Sequence, residues 1–163
     1  MSIISLGNNC APREYMKYKL QITKENGYKS CPFDLCITPH DSLIECLKTE
    51  FEHFFDLSLT FGQNAEGDRT LCGKGEQNIT NRYGMIFNHE GTTHSHLFKD
   101  GKNDDEFYIR NDFFEFKKRY SERIKNFRDY MKNDTITFII NEGTSYDELM
   151  SIYPNKTILL KYI

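Results

Sequence analysis

The chain's 163 residues suffice for one domain that buries ~70% of its unfolded surface, so one core and one site are expected. Its 21 basic and 24 acidic residues nearly cancel to a net charge of −3, which excludes a global field able to recruit nucleic acid or an anionic membrane. No apolar run approaches the ~20 residues needed to cross a bilayer, and the first residues lack the basic, apolar and small-residue order of a signal peptide, so a cytoplasmic protein is expected.

The five cysteines, Cys10, Cys31, Cys36, Cys46 and Cys72, are an odd number in a chain larger than small disulfide-stapled domains, and they read as thiols in a reducing compartment. The sequons at Asn78, Asn133 and Asn155 carry no weight without a secretory signal. Valine and tryptophan are absent, so Phe, Tyr, Ile and Leu must fill the core.

The chain opens on Ile3-Ile4-Ser5-Leu6, a short buried strand, followed by the turn Gly7-Asn8-Asn9 and then Cys10, Ala11 and Pro12 where a helix begins. Proline suits a first helical turn, where its missing N–H costs nothing. A thiol at that junction meets unpaired backbone N–H groups and the positive end of the helix dipole, which favour thiolate. Taken alone, without a partner, Cys10 reads as a small core residue ahead of a reactive one, since free cysteine is among the most buried residue types. Ala11, Tyr15, Tyr18 and Ile22 then predict one apolar stripe on a helix ending near Asn26-Gly27.

Ser30-Cys31-Pro32-Phe33-Asp34-Leu35-Cys36 reads as irregular. Thr38-Pro39-His40-Asp41 reads as the start of a second helix, with Thr38 as cap and Pro39 in the first position, and Ile44, Leu47, Phe51 and Phe54 form its buried side. His53 falls on the solvated side of the same helix. Residues 58–82 are polar and glycine-rich without a sustained period, which predicts a long loop acting as a gate. Gly73-Lys74-Gly75 within it lacks the phosphate-loop frame. Tyr83-Gly84-Met85-Ile86-Phe87-Asn88 predicts a strand that delivers His89 and Glu90 at its end.

Phe113, Phe116, Tyr120, Ile124, Phe127 and Met131 advance by three or four residues and predict a helix over 107–132, with Lys117, Lys118, Arg119, Arg123, Lys125 and Arg128 on a solvated face. Thr135-Ile136-Thr137-Phe138-Ile139-Ile140 is a strand by β-branched content and ends at Asn141-Glu142-Gly143. Ser145-x-x-Glu148 is a capping-box start for a short helix, and residues 157–163 form a last strand. Alternating strand and helix predicts a single α/β domain over 1–163 with a mostly parallel central sheet flanked by helices.

Ligands of such sheets sit at the carboxyl ends of the strands, which nominates the Cys10 turn, His89-Glu90 and Asn141-Glu142. A thiol, an imidazole to take its proton and a group to orient that imidazole are the minimum for nucleophilic acyl transfer. The candidates are Cys10 as nucleophile, His89 as base, and Asn141, Glu142 or Glu90 as orienting group, with backbone N–H groups of the Gly7, Asn8, Asn9 and Ala11 turn at an oxyanion. Cys31 and Cys36 with His94 and His96 are the rival metal set, but their i, i+5 cysteine spacing exceeds that of a zinc knuckle, and no metal or cofactor is expected. A serine hydrolase elbow and a dinucleotide fingerprint are both missing.

Ser5-Leu6-Gly7-Asn8-Asn9-Cys10 before a helix, Pro32-Phe33-Asp34, a Phe-x-x-Phe-x-Asp stretch from Phe51 to Asp56, Tyr83-Gly84 leading to Phe87-Asn88-His89, and Arg119 and Arg123 on a helix before a Phe-containing strand together resemble the papain-like cysteine peptidases catalogued as a bacterial and viral domain with an S-L-G-x-x-C motif. The resemblance spans most of the chain, and its opening block and the Pro-Phe-Asp block are its specific parts. It implies Cys10 and His89 as catalytic pair, a peptide or amide substrate, and the alternative fold class, α+β papain-like with the histidine in an antiparallel sheet. Leu35 stands where the family favours tryptophan, and Glu90 where an aspartate often follows the histidine. The leading expectation is a cysteine hydrolase; the alternative is a non-catalytic binding module, or a transferase-like domain, that takes a phosphorylated or glycan ligand at the strand ends with the basic helix.

Overall fold

A computed structural model describes residues 2–56, 59–63, 77–91, 97, 100–102, 104–143 and 146–163. In chain order the elements are β1 (Ser2–Ser5), α1 (Ala11–Tyr18), α2 (His40–Lys48), β2 (Thr60–Gln63), β3 (Gln77–Thr80), β4 (Ile86–Phe87), α3 (Asp105–Tyr130), β5 (Thr135–Ile140), α4 (Glu148–Ile152) and β6 (Thr157–Tyr162).

The fold is mixed α/β, with one parallel and one antiparallel sheet. The β-branched run of β5 forms the centre of a three-stranded parallel sheet in the order β1-β5-β6. Its side chains alternate as a strand's must. Ile136, Phe138 and Ile140 join Ile4, Ile158 and the stripe of α3 in the main core, while Ile139 turns to the opposite face, where it meets Met16 of α1 and Tyr28. The crossover β5-α4-β6 matches the expected βαβ pattern. Ser145, the predicted cap of α4, lies outside the described residues.

The predicted strand from Tyr83 to Asn88 is shorter and sits elsewhere. Gly84 bends at φ +77°, and Asn81 Oδ1 gathers the N–H groups of Tyr83 and Met85 at 3.1 and 3.2 Å, so those donors cannot serve a ladder. Only Ile86 and Phe87 remain, paired antiparallel to β3 rather than within the parallel sheet. Part of the expected 58–82 loop is strand as well: β2 and β3 pair antiparallel, completing the sheet β2-β3-β4. Residues 64–76, where a gate was expected, lie outside the described ones.

The first helix stops at Tyr18 instead of reaching Asn26-Gly27, because Gln21 takes a left-handed φ of 55° and Asn26-Gly27 belong to a separate turn. Its buried residues are Pro12, Arg13 and Met16, while Tyr18 is 62% exposed. The burial of Arg13 turns the helix away from the predicted stripe: its guanidinium lies over the Tyr28 ring at 4.3 Å and beside Asp34. Thr38 does not cap α2; it is buried with its hydroxyl 3.1 Å from Cys36 Sγ, and Pro39 takes the cap position.

The stripe of α3 is buried from Phe116 through Tyr120, Ile124, Phe127 and Met131. N-terminal to it, Asn111, Asp112 and Phe113 leave the helix in left-handed backbone, and the regular run begins after them. Phe87 packs edge-on against Phe116 and Tyr120, both at 4.7 Å between ring centroids, and against Phe54 at 5.5 Å. These contacts hold the short β4 against the longest helix and thereby place His89 and Glu90 just beyond it. Lys118, Lys125 and Arg128 are exposed as expected, but Arg123 is buried and Arg119 half-buried, so the basic face is not wholly solvated. Phe116→Ala should cost ~3–5 kcal/mol of unfolding free energy, read as a fall in the urea midpoint at unchanged m-value.

Candidate active site

The turn after β1 is held from β5. A Cβ on Gly7 would collide with Asn141 Oδ1 and Pro12 Cγ, so the backbone approach at this point requires glycine. Asn8 N–H donates to Asn141 Oδ1 at 3.0 Å, and Asn141 Nδ2 donates to Asn9 Oδ1 at 3.3 Å. Asn9 Oδ1 also accepts from Ala11 N–H at 2.9 Å, and Asn8 C=O accepts from Thr38 N–H at 3.1 Å. The N–H groups of Asn8 and Ala11, expected at an oxyanion, are thus taken up inside the turn. Asn141 commits both ends of its amide to the same turn rather than to an imidazole.

Cys10 is the N-cap residue of α1 and is half-buried. His89 arrives from the antiparallel sheet, in the turn after β4. Its Nε2 lies 3.8 Å from Cys10 Sγ, across 79 residues of chain. The turn is pinned on its far side by Glu90, 1% exposed, whose N–H donates to Phe87 C=O at 2.8 Å. Glu90 accepts two bonds from Arg119, Nε to Oε1 at 3.1 Å and Nη2 to Oε2. Glu142 is exposed, and its N–H donates to Ile163 C=O at the end of the parallel sheet. The hydrogen bonds therefore bring Gly7, Asn8, Asn9, Cys10, Ala11 and Asn141 into one cluster with His89 beside it, and leave Glu142 at the strand end.

The expected thiolate is not what the surroundings favour. Burial pushes the Cys10 thiol above its ordinary value, a hydrogen bond with the Asn88 side chain pulls the other way, and the negative charges of Glu14 and Asp34 push it up further. Burial therefore favours the neutral form of the Cys10 thiol, which stands next to the His89 imidazole. Cys31, Cys36 and Cys46 are fully buried, with Cys36 pushed up to about 12 by burial. Cys31 Sγ donates to Lys29 C=O and Cys36 Sγ to Pro32 C=O, as structural thiols do. His94 and His96, the other half of the metal set, lie outside the described residues, as does Cys72.

Asn88, Arg13 and Asp34 were not singled out as site residues by residue type and spacing. Asn88 stands next to His89 and Asp34 closes the Pro-Phe-Asp block, so position within those motifs was the available signal. Glu90, one of the weighed orienting groups, is engaged by Arg119 instead.

The mixed α/β fold thus presents a half-buried thiol at a helix start beside an imidazole from a second sheet. A family model described as Putative papain-like cysteine peptidase (DUF1796) matches residues 1–157, and the chain belongs to that family. The resemblance drawn from the opening and Pro-Phe-Asp motifs is thereby borne out. No curated protein and no solved structure matches the chain.

Two outcomes are expected of this geometry. Iodoacetamide should label Cys10 ahead of Cys31, Cys36 and Cys46 in the native protein, with a rate that climbs through an apparent pKa above that of a free thiol; Asn88→Ala should move the profile further toward alkali, as read by peptide mass spectrometry. Gly7→Ala should cost ~1–3 kcal/mol in a denaturant melt, because neither Pro12 nor the Asn141 amide can retreat without breaking the turn.

Proposed function

We propose that the chain is a cysteine hydrolase of peptidase or amidase type, in which Cys10 carries an acyl group from an amide or ester to water. The observation that supports this is the 3.8 Å approach of Cys10 Sγ to His89 Nε2, between elements that belong to different sheets. His89 accepts the thiol proton as Sγ adds to the carbonyl carbon, so the nucleophile is made at the moment of attack. The Cys10 N–H and the Asn88 side-chain amide meet the tetrahedral oxyanion. Collapse expels the amine, which takes its proton from the imidazolium and leaves a thioester. Water, deprotonated by His89, then adds to the thioester carbonyl, and the carboxylic acid departs as Cys10 recovers its proton.

Asn141 is a positioning residue in this scheme, acting on the backbone turn that carries Cys10. Glu90 is another, acting on the turn that carries His89 through the hold of Arg119 on its carboxylate. A second reading, a ligand-binding module without covalent chemistry, is favoured by the raised pKa of Cys10. Acyl transfer from p-nitrophenyl acetate separates the two. The hydrolase reading expects an acetyl group on the Cys10 peptide, none in Cys10→Ala, and acylation slowed by roughly 10²–10⁴-fold in His89→Ala. Acetyl groups confined to lysines, or a Cys10 rate indifferent to His89→Ala, would overturn it in favour of the binding module.

A further inference from the structure

Behind the candidate active site, arginines gather around two buried carboxylates. Asp34 and Glu90 are buried carboxylates, each 1% exposed, and three arginines approach them. Arg13 stands beside Asp34 and Arg119 grips Glu90, and both acids also favour the charge on Arg123. Arg123 is 9% exposed, and its Nη1 is buried without a hydrogen-bond partner. Its guanidinium lies 4.5 Å over the Tyr120 ring, and no ion pair among the described residues engages it. A buried N–H donor left without an acceptor is costly, and such groups persist where a partner is met.

Arg123 lines a pocket of about 460 Å³ between α3 and the segment around Ser30. Lys24 and Lys29, both exposed, line the same pocket from the facing segment, and Glu122 is the carboxylate on its wall. On the pocket wall the cations Arg119, Arg123, Lys24 and Lys29 outnumber the one carboxylate, Glu122. A guanidinium fork with flanking ammonium groups is the usual recognition chemistry for a phosphate. A phosphomonoester offers such donors three terminal oxygens, where a carboxylate offers two.

We propose that this pocket binds a dianionic phosphoryl group, that of a phosphomonoester, with Arg123 as its buried anchor and Lys24 and Lys29 at its mouth. The site lies outside the Cys10–His89 pair and stands whether or not the thiol is catalytic. Arg119 borders the pocket and holds Glu90 next to His89, so the two sites share a wall.

Calorimetric titration of the full chain at pH 8 with phenyl phosphate, inorganic phosphate and acetate tests this. Saturable binding of phenyl phosphate is expected, weakened at least roughly tenfold in Arg123→Gln and by several-fold in the double variant Lys24→Gln/Lys29→Gln, with a shallower salt dependence in the latter. Absence of saturable phenyl phosphate binding overturns the proposal. So does acetate binding as tightly, which would make the pocket a carboxylate site, or binding of inorganic phosphate alone, which would exclude an ester. Because Lys24 and Lys29 are exposed, the double variant should fold even if Arg123→Gln does not; unchanged phenyl phosphate affinity in it also overturns the proposal.

Discussion

The carboxylate of Asp34 is the point on which the placement of Cys10 depends. It is buried, and three donors reach it from two parts of the chain: Ser5 Oγ at the end of β1, and, from the segment just before Asp34, Cys31 N–H at 2.8 Å and Tyr28 OH at 2.9 Å. Arg13 of α1 adds its charge at 3.9 Å. Burial pushes the Asp34 carboxyl above the usual carboxylate range, while these hydrogen bonds and Arg13 pull it back down. A buried carboxylate is tolerable only when its lone pairs are met, and here the groups that meet it are the strand before the nucleophile and the helix after it. The turn bearing Cys10 is therefore fixed from both flanks. Phe33, the neighbour of Asp34, anchors the same segment by packing against Phe51 and edge-on against Phe127.

Parallel and antiparallel sheets both contribute to the candidate site, so the two fold expectations raised by the sequence describe different halves of it. β1 and β5 supply the thiol turn and the asparagine that clamps it; β4 supplies the imidazole. They are joined by backbone bonds, Thr38 N–H to Asn8 C=O and the bridge between Ile37 and Ile86 of β4, and by apolar packing, since Ile4, Phe138, Ile79 and Phe87 belong to one continuous cluster. The alignment of sulfur and ring nitrogen thus rests on aromatic packing around Phe87 as much as on any polar contact near the pair.

Long, strongly periodic segments could be read from the residues alone. The Thr135–Ile140 strand and the buried stripe of α3 appear where β-branched content and a three-to-four spacing place them, because their side chains answer to one flat neighbour. Local chemistry hid the rest. β4 was overestimated because Tyr83 and Met85 are apolar, yet the Asn81 side chain takes their N–H groups into a turn. β2 and β3 were read as loop because polar Gln77, Asn78 and Gly62 break the alternation a strand signal needs. Arg123 looked like one more surface charge, since helical spacing alone does not say that an arginine between Tyr120 and Phe127 will be covered. The Cys10–His89 pair was suggested by motif and residue type, but what favours the neutral form of the thiol is burial, which no spacing reveals.

The asparagine clamp has a consequence for how the protein is made. Asn8 and its acceptor on Asn141 are 133 residues apart, and β1 has no sheet partner among the described strands other than β5. Contacts of such sequence separation form late in folding, after shorter loops have closed. During synthesis β1 emerges well before β5 and must wait, without that partner, until β5 has left the ribosome. The cysteine turn cannot be completed before β5 is in place, so a nascent or truncated chain lacking β5 would hold the thiol without the scaffold that aims it.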